Sequence, residues 1–364
     1  MKVQCNKEAF LNGIQQVQNI VGTKTTLPIL SNVLVEAEKE FLTLTTTDLE
    51  VGIRCRFPAK VAQEGVTTVP AKRLSNIVRE LPDKAIHWET LESNVSTLRC
   101  GSSFFKIMGI SREEFPKLPQ FGEKVAFKIE QKAFKELLKK TAYAISHDET
   151  RYVLNGLFMG VSGGKMIIVA TDGKRLALIE KTLDLPDKIA LEIVIPSKAI
   201  TELSRILGDE GNLTVSIAKN MISFDLGSSL LTSRLIEGKF PSYRQVIPEK
   251  TAERVMMNRE ELLQAVRRVA QLTSERSNSI KLSFAKGNLL ITANSPEIGE
   301  AREEMAIGYE GKDVQIAFNP NYLSDVLKNL EDQNIFFEIT DSASPGIVKT
   351  DYDFVYVIMP MRLS

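Results

Sequence analysis

The chain has 364 residues, which leave room for two or three compact domains, and its 43% hydrophobic and 25% charged residues are typical of an ordinary globular protein. Its 46 Lys and Arg equal its 46 Asp and Glu, which excludes a globally basic nucleic-acid tail and an acidic disordered chain. The cysteines Cys5, Cys55 and Cys100 lie far apart and predict reduced core thiols, not a disulfide framework or a zinc site. No apolar run of about 18 residues and no export signal occurs, so we expect a cytoplasmic protein without a membrane partner.

Six amphipathic helices are predicted, and they form two sets of three. Residues 7–17 place apolar side chains at helical spacing, and a similar pattern recurs in 131–141 and 259–269. The second kind of helix follows a short strand that ends at or beside a proline, which presets the first helical turn. The predicted helices are residues 7–22, 71–80, 131–145, 197–207, 259–276 and 320–330.

Between these helices the chain alternates polar and apolar residues in the period of two that half-buried strands require, as in residues 41–45, 165–169 and 288–292. Because helices, strands and turns recur in one order at one spacing, we predict an α+β fold of three repeated domains, each with two helices and antiparallel sheets. The predicted domains are residues 1–122, 123–250 and 251–364.

Residues suited to catalysis are few. The only histidines, His87 and His147, lie in no HExxH or triad-like arrangement. Consecutive residues rarely converge on one ion, so we interpret 147–149 as a solvated loop and 162–165 as a hairpin turn. We therefore predict no catalytic residue, no metal and no cofactor.

Two segments allow more than one interpretation. Residues 171–176, Thr-Asp-Gly-Lys-Arg-Leu, are typical of a hairpin turn, but that turn also exposes two cations. Residues 356–363 are rich in methionine and contain a proline. The residues alone favour an edge strand that fills its own core, and the alternative is an adaptable apolar groove for peptides.

The charge balance is uneven along the chain. The predicted helices contain 15 Lys or Arg against 8 Asp or Glu, so the chain is neutral only on average. A solvated helix face would explain this, and so would a basic surface that holds a phosphate backbone without reading bases. The candidate cations are Lys72, Arg73, Arg79, Lys132, Lys135, Lys139, Lys140, Lys198, Arg205, Arg267 and Arg268.

Seven segments spread along the whole chain match one known family. They are Thr26–Leu30, Thr47–Glu50, Thr67–Ala71, Arg151–Gly156, Ala170–Leu176, Phe240–Arg244 and Val357–Leu363. On these segments the chain resembles, from end to end, the bacterial replicative sliding clamps, the β subunits of DNA polymerase III. The resemblance implies a non-catalytic processivity factor in which two chains join head to tail as a closed ring of six domains around double-stranded DNA. It also implies sliding without sequence specificity.

The resemblance further implies a peptide groove between the second and third domains. Residues 356–363 are therefore better interpreted as part of this groove than as an edge strand that fills its own core. Its implied partners are the DNA polymerase III catalytic subunit, the clamp loader, repair polymerases and other proteins with clamp-binding linear motifs. The implied groove residues are Leu154, Thr171, Gly173, Arg175, Leu176, Pro241, Val246, Val357, Ile358, Met359, Pro360, Met361 and Arg362.

DNA contacts are implied at Lys24, Lys72 and Tyr152, with Arg73 nearby, and the helix charges add Lys198 and Arg205. Three positions depart from the family pattern. Asp148 replaces a frequent polar amide, Val153 stands where a second aromatic can occur, and Lys174 replaces a common histidine.

The resemblance places the contact between chains at Phe105, Ile107 and Leu272, and the acidic residues Glu297, Glu300, Glu303 and Glu304 could face basic residues across it. Two other classes of protein stay open at this point. One is an enzyme with a site around Asp172, Lys174 and Arg175, and the other is a linear scaffold that binds peptides but never DNA.

Overall fold

The computed structural model describes residues 1–22, 27–91, 93–118, 125–185, 189–274, 278–351 and 353–362. Their residue contacts divide the chain into two compact units, Met1–Lys135 with Lys198–Leu235, and Glu136–Ser197 with Ile236–Ser364. Among the described residues no helix is long and apolar enough to cross a membrane. The helices are α1 Lys7–Val17, α2 Ala71–Glu80, α3 Gln131–Lys139, α4 Ser197–Ile206, α5 Arg259–Val269 and α6 Pro320–Asn329.

The strands follow the three sequence repeats. The first repeat contributes β1 Lys2–Cys5, β2 Asn32–Glu38, β3 Phe41–Thr47, β4 Val51–Pro58, β5 Lys60–Gln63, β6 Gly65–Pro70, β7 Ile86–Thr90, β8 Val95–Cys100 and β9 Ser103–Met108. The second contributes β10 Val125–Glu130, β11 Gly156–Ser162, β12 Lys165–Thr171, β13 Arg175–Thr182, β14 Leu191–Pro196, β15 Asn212–Ala218, β16 Met221–Asp225 and β17 Ser229–Arg234. The third contributes β18 Glu253–Asn258, β19 Ile280–Ala285, β20 Asn288–Ser295, β21 Gly299–Ala306, β22 Val314–Phe318, β23 Asn334–Ile339, β24 Gly346–Lys349 and β25 Phe354–Ile358.

Both eight-stranded sheets join strands from two neighbouring repeats. One has the order β6-β2-β3-β4-β17-β16-β15-β10, and the other has the matching order β14-β11-β12-β13-β25-β24-β23-β18. The joints are the antiparallel pairs β4 with β17 and β13 with β25. A five-stranded sheet, β5-β1-β7-β8-β9, and a four-stranded sheet, β22-β19-β20-β21, leave β9 and β21 unpaired on one side among the described residues.

The amphipathic helices bury the faces that their spacing predicts. Phe10, Ile14 and Val17 of α1 have no exposed surface, and neither do Leu262 and Val266 of α5. Asparagine side chains accept the first free amides of α1, α5 and α6, as N-caps do. The α+β class with antiparallel sheets is thus confirmed.

Three helices end earlier than predicted, because each first helix of a repeat tightens into a 3-10 turn. These turns are Gln18–Ile20, Ala142–Ala144 and Ala270–Leu272. After α3 the Thr141 hydroxyl donates to the Leu137 carbonyl, which is local bonding that competes with a regular helix end. The domain boundaries at 122 and 250 stay predictions, and residues 119–124 lie outside the described chain.

The prediction for the cysteines is confirmed, since all three are free and buried. Burial raises the pKa of the Cys5 thiol to about 12, and burial also raises the pKa of Cys55. Both thiols therefore stay protonated and unreactive at neutral pH.

Candidate functional site

The turn between β12 and β13 is fixed by its own side chains. The Thr171 hydroxyl donates to the Arg175 carbonyl at 2.6 Å, and Asp172 Oδ1 accepts the amides of Lys174 and Arg175 at 2.9 and 3.0 Å. Gly173 has φ +82°, and a Cβ there would lie 2.5 Å from Arg151 Nη1. Only glycine fits without strain, so the turn has one well-defined shape.

Arg175 lies at the centre of a polar network in the second unit. Its Nε donates to Asp172 Oδ2 at 3.0 Å, its Nη1 to Asp325 Oδ2 at 2.6 Å and its Nη2 to the Tyr143 carbonyl at 2.7 Å. Its guanidinium also lies 4.5 Å from the centre of the Tyr322 ring. A planar fork with five donors can meet such a set of partners, whereas an ammonium group cannot.

Arg175 itself is nearly closed to water, since 10% of its side chain is exposed, whereas 34% of the Asp325 side chain is exposed. Burial alone would lower the pKa of Arg175, but the hydrogen bond to Asp325 and the charge of Asp172 raise it above its usual value. Burial raises the pKa of both Tyr143 and Tyr356. Arg175 therefore stays charged, both phenols stay neutral, and the guanidinium offsets the charge of one of the two carboxylates that it contacts.

An apolar floor lies beside this turn. Leu154, Leu176 and Val357 share one buried cluster with Phe158 and Phe240. Leu176 and Val357 are directly paired across the joint of β13 and β25. Ile358 is also buried, but successive residues of a strand point to opposite faces, so its side chain lies on the other face of the sheet.

The terminal segment is tied to this floor by its backbone. The Met359 amide donates to the Lys174 carbonyl at 2.9 Å, and the Met361 amide donates to the Ala317 carbonyl at 2.8 Å. Among the predicted groove residues, Val246 and Met359 are 47% and 44% exposed. Pro241, Gly173 and Arg362 are also exposed, while Pro360 and Met361 are half-buried. The second unit thus brings most of the predicted set together as an apolar surface with a fixed turn at its side.

Tyr143, Tyr322 and Asp325 contact Arg175 but were not predicted from the sequence. Asp325 is 150 residues from Arg175, so no local pattern could pair them. The one available signal was the repeat itself, because Tyr322 and Asp325 lie on the helix that follows the strand and proline landmark.

The predicted DNA contacts Lys72 and Arg73 lie in the first turn of α2. Both are exposed, and no described carboxylate lies within ion-pair distance of either. With Gly22, Ser31 and Asn76 they line a cleft of about 490 Å³. Lys24 lies outside the described residues.

Other predicted cations are already neutralised. Lys198 Nζ donates to Asp48 Oδ2 at 2.5 Å and to the Ile20 carbonyl at 3.0 Å. Arg205 Nη1 lies 3.4 Å from Glu202 Oε1. Lys135, Lys139 and Arg268 are paired in the same way. The helices therefore carry less free positive charge than the sequence count predicts.

The region before β11 explains two departures from the family pattern. Asp148 accepts hydrogen bonds from Thr150 and Arg151, and the bonds from Thr150 contribute most to lowering its pKa. Val153 packs against the apolar cluster of the floor. Tyr152, between them, is 59% exposed. Asp148 and Val153 thus have structural partners, and Tyr152 faces solvent.

The predicted contact residues differ in exposure. Phe105 is half-buried on the edge strand β9, Ile107 is 4% exposed within its own chain, and Leu272 is half-buried after α5. On β21, Glu303 accepts two hydrogen bonds from Arg268, at 2.6 and 2.9 Å. Among the described residues, no group of three or more His, Cys, Asp or Glu could hold a metal ion.

Three family descriptions match the chain in order. They are the N-terminal, central and C-terminal domains of the DNA polymerase III beta subunit, over residues 1–119, 128–242 and 244–362. The chain is 36% identical over 363 residues to the beta sliding clamp of Chlamydia muridarum, covering 100% of this chain and 99% of that one. It is 35% identical over 367 residues to the beta sliding clamp of Pseudomonas aeruginosa, covering 100% of both chains.

Solved structures give the same result. A sliding clamp from Pseudomonas aeruginosa bound to griselimycin matches with a TM-score of 0.95 and 36% identity over 100% of both chains. The sliding clamp from Bacillus subtilis matches with a TM-score of 0.95 and 32% identity over 100% of both chains.

Proposed function

Because this chain belongs to the DNA polymerase III beta subunit family, the bacterial sliding clamps, we propose that its candidate sites are a peptide groove, a DNA-facing basic surface and two sheet edges that join copies of the chain. The chain is a non-catalytic accessory subunit and a processivity factor, a clamp that slides on DNA and tethers the polymerase through a peptide-binding groove. The domain boundaries 1–122, 123–250 and 251–364 and a cytoplasmic location are parts of the same proposal.

The groove is the apolar surface of the second unit. The proposal is supported by the buried floor of Leu154, Leu176 and Val357 and by the exposure of Val246 and Met359 in the same unit. Adaptable methionines beside a rigid turn suit short linear motifs that insert apolar side chains. The proposed occupants are segments of the DNA polymerase III catalytic subunit, the clamp loader, repair polymerases and other replication or repair proteins.

The repeated sheet joint is the observation that carries the ring. In each eight-stranded sheet, one antiparallel strand pair joins two repeats. The pair is β4 with β17 in the first sheet and β13 with β25 in the second. By strand order, β21 corresponds to β4 and β13, and β9 corresponds to β17 and β25. In this proposal β21 of one chain pairs with β9 of another, and two such joints close a head-to-tail homodimer around duplex DNA.

DNA contact is proposed at Lys24, Lys72 and Tyr152, with Arg73 beside Lys72. Unpaired, exposed Lys72 and Arg73 support this, because a phosphate can bind there without first breaking an ion pair. Lys198 and Arg205 would have to leave internal partners, so they contribute to the local field more than to direct contact.

The salt dependence of DNA binding tests this division. With short duplex DNA in fluorescence anisotropy, Lys72→Gln is expected to reduce the slope of log K against log salt by about 1. Lys198→Gln is the matched control. Since its ammonium is bonded within the protein, we expect a lower unfolding temperature with little change in slope. An equal loss of slope in the two variants would contradict the assignment.

Retention on circular and on linear DNA tests whether the protein acts as a sliding clamp. After loader-dependent loading, the protein should stay on a circular duplex and leave the same duplex when it is cut once, because a clamp slides off free ends. Blocking both ends of the linear duplex should restore retention. A linear scaffold, or a protein that binds DNA by affinity alone, would give the same retention on all three DNAs.

A further inference from the structure

The two eight-stranded sheets allow a position-by-position comparison, because their strand orders match. In the second sheet, three apolar residues lie side by side on β11, β12 and β13: Phe158, Val169 and Leu178. At the equivalent places on β2, β3 and β4 the first sheet has Leu34, Thr45 and Arg54. In the second sheet these positions belong to the apolar floor beside the peptide groove. In the first sheet the equivalent positions hold one apolar, one polar and one cationic side chain.

A cavity of about 480 Å³ lies at this place in the first unit. We call it the first-sheet cavity. Its apolar wall includes Leu34, Val66, Phe115 and Leu118. The volume falls within the range of pockets that hold small ligands, and it has room for two or three side chains.

The polar side of the cavity has an excess of donors. Arg54 and Arg112, which are both exposed, line it, and among the described residues neither side chain has an ion pair or a hydrogen bond. Two carboxylates also line it, those of half-buried Glu36 and exposed Glu113, and exposed Lys117 adds a third cation. Burial raises the pKa of Glu36, although the charges of Arg54 and Arg112 oppose this. Three cations therefore stand against two carboxylates, and the cavity lining has an excess of one positive charge.

Thr45 supplies a second, independent observation. Its side chain is 1% exposed, and its hydroxyl has no hydrogen-bond partner among the described residues, although the residue lines the cavity. Buried hydroxyl groups are nearly always satisfied, because leaving one unpaired is costly. A ligand that carries an acceptor would satisfy it.

We propose that the first-sheet cavity binds a peptide segment in which an acidic residue is followed by an aliphatic one. The carboxylate accepts hydrogen bonds from Arg54, Arg112 and the Thr45 hydroxyl, and the aliphatic side chain packs against Leu34 and Val66. Charge-assisted bonds of this kind are about twice as strong as neutral ones. This is a second peptide site, separate from the groove of the second unit and independent of ring closure.

Methyl NMR of the full-length protein, labelled at Ile, Leu and Val, tests the proposal. Acetyl-Asp-Leu-amide should shift the methyl signals of Leu34, Val66 and Leu118 in a saturable way. Acetyl-Asn-Leu-amide should bind about tenfold more weakly, because it loses the charge on the ligand. The methyl groups of Leu154, Leu176 and Val357 report the other groove in the same spectra.

Variants separate binding from folding. Arg54→Gln should weaken acetyl-Asp-Leu-amide about tenfold and leave the methyl signals of the second unit unchanged. Lys239→Gln, an exposed charge remote in sequence, is the matched control and should bind normally. Absence of saturable shifts at the three cavity methyls, or equal binding of the Asp and Asn peptides, would overturn the proposal. Saturable shifts with inorganic phosphate alone would also overturn it, in favour of a simple anion site.

Discussion

Replacement of Arg175 by alanine is expected to lower the free energy of unfolding by about 3–5 kcal/mol, because it leaves the carboxylates of Asp172 and Asp325 without the cation that both contact. The change also removes the donor to the Tyr143 carbonyl, which would remain in a nearly closed network. Urea unfolding measures the loss. Hydrogen exchange should show faster exchange of the Arg175 and Met359 amides, because both hold the turn to the sheet.

Arg175→Lys is the matched control for charge. An ammonium group keeps the positive charge but cannot donate to three fixed acceptors, so we expect it to recover less than half of the lost stability. Asp325→Asn removes one charge and keeps the shape of the side chain, so its effect should be smaller than that of Arg175→Ala. An Arg175→Ala protein within about 1 kcal/mol of the wild type would show that the network is solvated and weak.

Replacement of both Phe105 and Leu272 by aspartate is expected to give a particle of one chain in sedimentation. In the proposed ring these apolar side chains lie on the two sides of the joint between β9 and β21, and buried carboxylates without partners would oppose it. The same variant should lose retention on circular DNA, because an open chain has no topological hold.

Met108→Asp is the matched control on the same strand. Met108 is 66% exposed, and it lies on the opposite face of β9 from Phe105, so the two-chain mass should remain. Ile107 is a poor choice, because it is already buried within its own chain and a charge there would destabilise the sheet itself. An unchanged two-chain mass for the Phe105 and Leu272 variant would refute this joint.

The parts of the fold that follow from local pattern were predictable. Helical spacing identified the six α-helices of the described residues, and the period of two identified strands such as β3, β12 and β20. The ends of α1, α3 and α5 were wrong by several residues, because a 3-10 turn keeps part of the apolar spacing of the helix that precedes it.

Contacts between distant residues were not predictable from one sequence. Lys198 counted as a free cation until Asp48 and the Ile20 carbonyl were found beside it. The sequence indicated that Arg175 is an exposed cation of a hairpin turn. In the structure its hydrogen-bond partners come from three separate segments of the chain. The repeats and the family resemblance identified the peptide groove and the basic helix surface. The structure then shows which of their residues are free to bind a partner and which are bonded within the protein.

The joint between β4 and β17 also limits how the chain folds while it is being made. Gly52 lies opposite Thr232, 180 residues later, so the edge of β4 has no partner until most of the second repeat has been synthesised. Long-range antiparallel pairing is slow, and a waiting strand edge can pair wrongly with another nascent chain. The middle repeat gives strands to both eight-stranded sheets. When synthesis has reached only the end of the middle repeat, the second sheet still lacks β25, β24, β23 and β18. Translation rate and chaperone access are therefore expected to affect the yield of this protein.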